Sequence, residues 1–265
     1  MFINNLFSVK DKVVLVTGGS RGIGEMIAEG YCANGAKVYI SARSKDVVTK
    51  TAKRISASYD SECIGIECDI SSIEGVNKLC DEIKKKEDHL DILVNNAGAA
   101  WASPIENFPE IGWDKVMDIC VKSMFFLTQG LLPMLVKSAS RDDPSRVINI
   151  GSIDGINNPV FKNFSYSAAK AAVHHMTRVL AAELVKKNIN VNAIAPGPFP
   201  SKMLGSAVEF NYSELEQKNP RGRIGTAEDV AGLAIFLSSR AGAYTIGEVI
   251  TCDGGLVASS GHDLT

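Results

Sequence analysis

An apolar run near the amino end leads directly into a glycine-rich segment, in the stretch Val13-Val14-Leu15-Val16-Thr17-Gly18-Gly19-Ser20-Arg21-Gly22-Ile23-Gly24. The continuous apolarity before Thr17 predicts a strand that is buried on both faces. The glycines allow a tight turn and a close backbone approach to a phosphate at the start of a helix. The stretch therefore predicts a strand, a turn and a helix that hold the pyrophosphate of a dinucleotide.

Similar apolar runs recur along the chain, and segments of helical length separate them. The runs occupy 13–16, 38–40, 64–66, 92–94, 147–150, 191–194 and 249–250. Helices are predicted near 22–34, 45–57, 73–86, 111–137, 165–187 and 226–238. This alternation is typical of the α/β class, and it predicts a doubly wound, Rossmann-like parallel sheet of seven strands with helices on both faces. We expect a single domain over residues 1–265.

Composition excludes several classes of function. The chain has 265 residues, of which 45% are apolar, and a formal net charge of −2 without a basic block, so a nucleic-acid partner is not expected. No segment is predicted to reach the roughly 18 apolar residues of a membrane span, and the amino end is too polar for a signal peptide. These features predict a cytoplasmic protein without a membrane partner.

The cysteines and histidines do not form a metal-binding or disulfide pattern. The six cysteines contain no C-x-x-C pair, and the four histidines form no H-x-x-x-H or H-E-x-x-H motif. We expect reduced thiols and no metal site.

Tyr166 and Lys170 lie four residues apart in a segment that is predicted to be helical. At this spacing both side chains occupy one face of the helix, so an ammonium group lies beside a phenol. A neighbouring positive charge favours the ionised phenol, and the lysine together with a cationic cofactor ring is expected to lower the pKa of the phenol from about 10 to about 7. The pair therefore predicts a tyrosine that acts as a proton donor near neutral pH.

Arg43 follows the second predicted strand, where an NAD-binding domain usually carries an acidic residue for the ribose 2′-hydroxyl. An arginine at this point suits a 2′-phosphate instead. Arg21 in the glycine-rich turn offers a second positive charge. We therefore predict NADP(H) as the cofactor, with two ordinary exposed arginines as the alternative.

The order and spacing of these motifs resemble the single-domain short-chain dehydrogenase/reductase family, from about residue 12 to 256. Further motifs that carry the resemblance are Cys68-Asp69-Ile70, Asn95-Asn96-Ala97-Gly98, Ile150-Gly151-Ser152 and Pro196-Gly197. The resemblance implies that Ser152 binds the substrate carbonyl, that Tyr166 is the general acid, and that Lys170 binds the nicotinamide ribose and lowers the Tyr166 pKa. The cofactor contacts that it implies are Gly18, Ser20, Arg21, Gly22, Ile23, Gly24, Arg43, Asp69, Ile70, Asn96, Ala97, Gly98, Tyr166, Lys170, Pro196, Gly197 and Phe199.

Cys120 stands where most members of the family carry an asparagine. That asparagine is thought to shape its helix so that a backbone carbonyl holds a water linked to the lysine. A thiol is a poor substitute for an amide in hydrogen bonding, so we predict reduced but not absent activity. A redox-sensing role for Cys120 is an alternative to an inert buried thiol.

Within the family, the chain is most similar to the 3-oxoacyl-thioester reductases, particularly the rhamnolipid-biosynthesis type. The segment 198–223 is predicted to enclose the substrate. Its apolar side chains either line an acyl groove or pack in the core; they are Phe199, Met203, Leu204, Val208, Phe210 and Tyr212. Arg178, Lys186 and Lys187 either face an acyl carrier protein or form an ordinary solvated surface.

Two other functions remain open from the sequence. The chain could act on a sugar, polyol or steroid, or it could be a regulatory or scaffold protein that binds NADP but turns over weakly. The resemblance also implies a homotetramer that pairs the helices near 111–137 and 165–187, and the carboxyl-terminal strand and tail, across two-fold axes. Apolar residues on those helices could equally face the sheet.

Overall fold

A single parallel sheet forms the centre of the computed structural model, which describes residues 3–159, 161–201 and 212–260. The seven strands follow the order β3-β2-β1-β4-β5-β6-β7, and every neighbouring pair is parallel. They are β1 (Val13–Thr17), β2 (Lys37–Ala42), β3 (Cys63–Glu67), β4 (Ile92–Asn95), β5 (Ser145–Ile150), β6 (Ile189–Pro196) and β7 (Val249–Cys252). The predicted doubly wound sheet is confirmed, with all seven strands at the predicted places.

The helices connect successive strands. They are α1 (Gly22–Ala33), α2 (Lys45–Tyr59), α3 (Ile73–Lys86), α4 (Glu110–Ser138), α5 (Phe164–Leu184), α6 (Tyr212–Lys218) and α7 (Ala227–Ser238), besides a short turn at Ile3–Leu6. Six of them match the predicted segments within a few residues. The short helix α6 was not predicted, because the prolines of the segment from 196 to 223 indicate a loop, which was assigned to substrate enclosure.

Side chains that alternate along the strands build a core on each face of the sheet. On β1, Val14 and Val16 point to the face covered by α1, α2 and α7, whereas Val13 and Leu15 point to the face covered by α3, α4 and α5. All five β1 residues are buried, which explains why the run is continuously apolar rather than alternating. All six cysteines are free thiols, and five of them are buried.

Helix α4 is long and apolar enough to cross a membrane by length and composition alone. The sequence-based expectation that no segment approaches a membrane span is wrong on that point. Half of the most apolar window is buried inside the protein, where Leu127, Leu131 and Leu135 have no exposed surface. Packing of α4 against the sheet therefore accounts for the apolarity of these residues.

Asp91 joins β1 to the neighbouring β4 at the amino-terminal edge of the sheet. Its carboxylate accepts hydrogen bonds from the Val13 backbone N–H (2.8 Å), the Ser138 hydroxyl (2.6 Å) and the Lys12 ammonium (3.1 Å). Burial by itself would raise the pKa of Asp91, but these hydrogen bonds and the charge of Lys12 outweigh it and lower the pKa. The ionised carboxylate is therefore part of the folded structure.

Replacing Asp91 by asparagine is expected to lower the free energy of unfolding by about 1–3 kcal/mol at neutral pH, because buried donors lose a charged acceptor. Since folding lowers the pKa of Asp91, the unfolded chain takes up this proton first as the pH falls. The stabilisation is thus complete near neutral pH and is lost below about pH 4. Urea unfolding of both proteins should show a difference that shrinks in acid. Asp81→Asn, at an exposed position, should change stability by less than about 0.5 kcal/mol; a pH-independent loss in Asp91→Asn would contradict this account.

Candidate active site

The glycine-rich turn between β1 and α1 is fastened to the turn that follows β4. The Asn96 amide donates to the carbonyl oxygens of Thr17 (2.8 Å) and Gly18 (3.3 Å), and the backbone N–H groups of Asn96 and Ala97 donate to the Thr17 hydroxyl, both at 3.0 Å. A Cβ on Gly24 would lie 2.3 Å from Asn96 Nδ2, so only glycine allows this approach. Two of the predicted cofactor motifs therefore form one rigid unit.

Helix α1 begins at this turn with an uncapped amino terminus. The side chain of Arg21, at the cap position, makes no capping hydrogen bond, so the first N–H groups of the helix are free to bind an anion. Ser20 is buried, and Ile23 packs against the core. Arg21 and Arg43 are exposed, and within the described part of the chain neither guanidinium has a hydrogen-bond or ion-pair partner.

The other predicted contacts lie after strand ends at the same edge of the sheet. Asp69 follows β3 and is exposed, with its carboxylate accepting from the Ser71 N–H at 3.0 Å, while Ile70 is buried. The turn at Pro196 and Gly197 ends β6, and the Gly197 N–H donates to the Cys252 carbonyl at 3.0 Å. Phe199 is only 3% exposed and belongs to the core, so core packing rather than an open acyl groove is correct for this side chain.

Ser152, Tyr166 and Lys170 meet where β5 ends against α5. The buried Lys170 ammonium donates to the Ile150 carbonyl oxygen at 2.7 Å and lies 5.4 Å from the centre of the half-buried Tyr166 ring. Ser152 is buried at the turn after β5, and its Oγ accepts from the Asp154 N–H at 3.1 Å. The Ser152 hydroxyl can therefore donate its hydrogen to the Tyr166 oxygen or to another acceptor.

The predicted lowering of the Tyr166 pKa by Lys170 is wrong for the protein by itself. Burial raises the pKa of Tyr166, the nearby Cys120 and Asp154 raise it further, and only a hydrogen bond from Ser152 lowers it. Burial also lowers the pKa of Lys170, because a low-dielectric environment disfavours both charged forms. The charge of Lys170 can be inferred from the sequence, but the burial that removes water from Tyr166 and Lys170 cannot.

Cys120 lies beside the same group, on a π-helical turn that interrupts α4 from Asp118 to Lys122. There the Ser123 N–H donates to the Asp118 carbonyl, five residues back. The buried Cys120 thiol is 3.5 Å from the Ala99 carbonyl oxygen. A Cβ on Gly98 would lie 3.6 Å from Cys120 Sγ and 3.9 Å from Lys170 Nζ. The structure therefore brings Cys120, Gly98 and Lys170 together, and the helix is distorted here without an asparagine.

This arrangement agrees with comparisons with known proteins. A family model described as enoyl-(acyl carrier protein) reductase matches residues 18–257. The chain belongs to the short-chain dehydrogenase/reductase family.

Two curated relatives and one solved structure show how similar this short-chain dehydrogenase/reductase is to known proteins. The rhamnolipids biosynthesis 3-oxoacyl-[acyl-carrier-protein] reductase of Pseudomonas aeruginosa is 46% identical over 94% of the chain and 97% of the relative. The 3-oxoacyl-[acyl-carrier-protein] reductase FabG of Aquifex aeolicus is 34% identical over 94% and 98%. The Pseudomonas aeruginosa RhlG/NADP active-site complex matches with a TM-score of 0.91 at 45% identity, over 96% of this chain and 99% of that one.

Sequence reasoning missed two buried or half-buried residues that lie beside Ser152 in this short-chain dehydrogenase/reductase. Asp154 lies two residues after Ser152, accepts a hydrogen bond from Asn163 at 2.8 Å, and has a pKa raised by burial. His174 is buried against the Ser152 turn; its spacing of four from Lys170 was a signal that could have found it.

Some predicted residues lie outside the described ones. They are Met203, Leu204, Val208 and Phe210 of the predicted acyl groove, and the Tyr212 side chain. Within the described ranges, no three histidine, cysteine, aspartate or glutamate side chains group as metal ligands.

Proposed function

We propose that this chain is an NADPH-dependent reductase of ketones, with a 3-oxoacyl thioester as its substrate and residues 1–265 acting as one catalytic domain. The observation that carries the proposal is the junction of β5 and α5, where Ser152, Tyr166 and Lys170 lie together. It is supported by the 46% identity to a 3-oxoacyl reductase over nearly the whole of both chains. A ketone bound at this junction faces a hydroxyl, a phenol and an ammonium, which are three hydrogen-bond donors.

The chemical roles follow from those donors. The bound cofactor supplies a hydride to the carbonyl carbon. Ser152 donates its hydroxyl hydrogen to the carbonyl oxygen and stabilises the charge that develops there. Tyr166 transfers its phenolic proton to that oxygen, and a raised pKa keeps the phenol protonated at neutral pH until the stronger base forms. Lys170 donates one N–H to the Ile150 carbonyl oxygen, and its other two N–H groups can donate to the nicotinamide ribose.

The residues present fit NADP(H). The uncapped start of α1 offers N–H groups to the pyrophosphate. The exposed Arg21 and Arg43, which have no partner among the described residues, offer guanidinium groups to a 2′-phosphate. We propose that Asp69 and Ile70 hold the adenine, that the Asn96 to Gly98 turn runs along the cofactor, and that the Pro196 turn flanks the nicotinamide. Because the Phe199 side chain is buried in the core, its contact would come from the backbone.

The substrate side is proposed to include the segment 198–223. Ser201, in this segment, lies against the glycine-rich turn, because a Cβ on Gly22 would lie 3.3 Å from Ser201 Cβ. Arg178, Lys186 and Lys187 are exposed and have the charge that an acidic acyl carrier protein would require. We propose this carrier as the partner that presents the thioester.

Assembly and location are proposals as well. Exposed apolar side chains on α4 and α5, including Phe126, Val136 and Val179, support pairing of these helices with a second copy. The edge strand β7 supports a second contact, which gives a homotetramer with two-fold symmetry. The low net charge and free cysteines agree with a cytoplasmic enzyme.

A panel of carbonyl compounds tests the function directly. With NADPH, we expect faster consumption with acetoacetyl and longer 3-oxoacyl thioesters than with sugars or cyclic ketones. Tyr166→Phe should lower kcat about 10²- to 10⁴-fold, because the proton donor is lost, while NADPH binding measured by fluorescence is retained. Tyr59→Phe, at an exposed position on α2, is the matched control. NADPH binding without oxidation by any carbonyl would favour a regulatory protein, and a sugar or steroid as the best substrate would favour the other enzymatic reading.

Arg43→Ala tests the assignment of the cofactor. Removing a charge-assisted hydrogen bond of about 1.5–3 kcal/mol should raise the KM for NADPH roughly 10- to 100-fold and leave the KM for NADH nearly unchanged. Arg141→Ala removes an exposed arginine elsewhere and should leave both constants unchanged. Equal losses for the two cofactors, or a parent protein that prefers NADH, would contradict a 2′-phosphate contact.

Cys120→Asn tests the departure from the family pattern. An amide that completes one neutral hydrogen bond of about 0.5–1.5 kcal/mol should raise kcat about 2- to 10-fold. Cys120→Ser offers a stronger donor than the thiol and should give a smaller gain, whereas Cys120→Ala should stay within about 2-fold of the parent. If Cys120→Ala loses most of the activity at unchanged stability, the thiol has a role of its own. The prediction that it is only a poor replacement for an asparagine amide would then be wrong.

A further inference from the structure

His174 lies on the same face of α5 as the reactive residues. Tyr166, Lys170 and His174 follow at intervals of four, so the three side chains form one row along the helix. His174 is only 4% exposed, yet the reaction described above gives it no role. A buried imidazole next to the site needs a hydrogen-bonding explanation.

The ring sits in a socket formed by the turn after β5. The Ser152 backbone N–H donates to His174 Nε2 at 3.4 Å, and the Gly155 backbone forms a hydrogen bond with the ring. A Cβ on Gly151 would lie 2.1 Å from His174 Nε2, and one on Gly155 would lie 2.9 Å from His174 Cε1. Two glycines therefore make the room that the imidazole fills.

This contact is one of several polar contacts between α5 and the end of β5 with the turn that follows it. Asn149 Nδ2 donates to the Thr177 hydroxyl at 3.0 Å, and Lys170 donates to the Ile150 carbonyl at 2.7 Å. The third tie, from Ser152 to His174, is the one that reaches the reactive serine itself. The first two hold the strand. The third holds the turn that carries the Ser152 hydroxyl, together with a hydrogen bond from the Ser167 hydroxyl to the Asp154 carbonyl oxygen.

We propose that neutral His174 is a positioning residue that accepts a hydrogen bond from the Ser152 backbone and thereby holds the Ser152 hydroxyl at the correct distance from Tyr166. This inference rests on the proposed ketone reduction. It requires the tautomer in which Nε2 is bare and Nδ1 carries the hydrogen.

The surroundings keep the ring neutral. Burial lowers the pKa of His174 to about 4, and the positive charges of Lys170 and Arg178 on α5 act in the same direction. On the facing turn the titratable group is Asp154, on β5 it is Arg146, and β6 contributes none. At neutral pH, Nε2 is therefore free to accept a hydrogen bond.

Three substitutions test the proposal in the full-length protein with NADPH and acetoacetyl thioester. His174→Phe fills the socket but accepts no hydrogen bond, and kcat should fall about 10- to 100-fold, since a displacement of about 1 Å near the reacting atoms has effects of this size. The KM for NADPH should change less than about 2-fold. His174→Gln keeps an acceptor and should recover at least about half of the parent kcat. His175→Phe, at the exposed neighbouring position, should match the parent.

A parent-like kcat in His174→Phe would overturn the proposal, and so would equal losses of kcat and NADPH affinity in both His174 variants. Nitrogen NMR of the parent is a second measurement that does not depend on activity or on the folding of a variant. A bare Nε2 from about pH 5 to pH 8 is expected, and a hydrogen on Nε2 at neutral pH would overturn the proposal. If no ketone is reduced and Tyr166→Phe matches the parent, the proposed function fails, while the NMR result still decides the hydrogen bond.

Discussion

The hydrogen bond from the buried Lys170 ammonium to the Ile150 carbonyl oxygen, 2.7 Å long, fixes α5 against the end of β5. Apolar side chains alone would tolerate small shifts of the helix along the sheet, since their packing has no direction. A buried charge has no such freedom, because leaving its acceptor costs several kcal/mol. The chain from Asn95 through Asn149 to Thr177 adds a second directional contact. Polar contacts therefore determine the geometry of the site, and the apolar core supplies the stability that permits their burial.

Burial disfavours the charged form of four titratable groups in this part of the protein. It raises the pKa values of Tyr166 and Asp154 and lowers those of Lys170 and His174, so each of these shifts is towards the neutral form. A site of this kind is poorly hydrated, and a hydrogen bond to a developing negative charge is stronger there than in water. The desolvation that makes a tyrosinate unfavourable thus also makes Ser152 and Tyr166 effective donors to a carbonyl oxygen.

The sequence was sufficient for the features that depend on local pattern. The run from Val13 to Val16, buried on both faces, and the spacing of Tyr166 and Lys170 on one helix are both fixed by neighbours along the chain, and both were predicted. The direction of the Tyr166 pKa was not, because burial depends on residues distant in sequence. His174 was missed for the same reason: its partner, Ser152, is 22 residues away. The helix α6 was missed because proline and glycine around it dominated the local pattern.

Cys120 lies on a distorted helical turn whose hydrogen bonds do not depend on its side chain. The π-helical turn is maintained by the backbone hydrogen bond from Ser123 to Asp118 and by the Ser123 hydroxyl, which donates to the Ile119 carbonyl at 2.6 Å. Neither contact involves the side chain at position 120. Such turns often occur at functional sites because they redirect one carbonyl away from the helical pattern. Since the backbone itself carries the distortion, the residue at 120 is free to vary within the space between Gly98 and Lys170, and a small thiol fits that space.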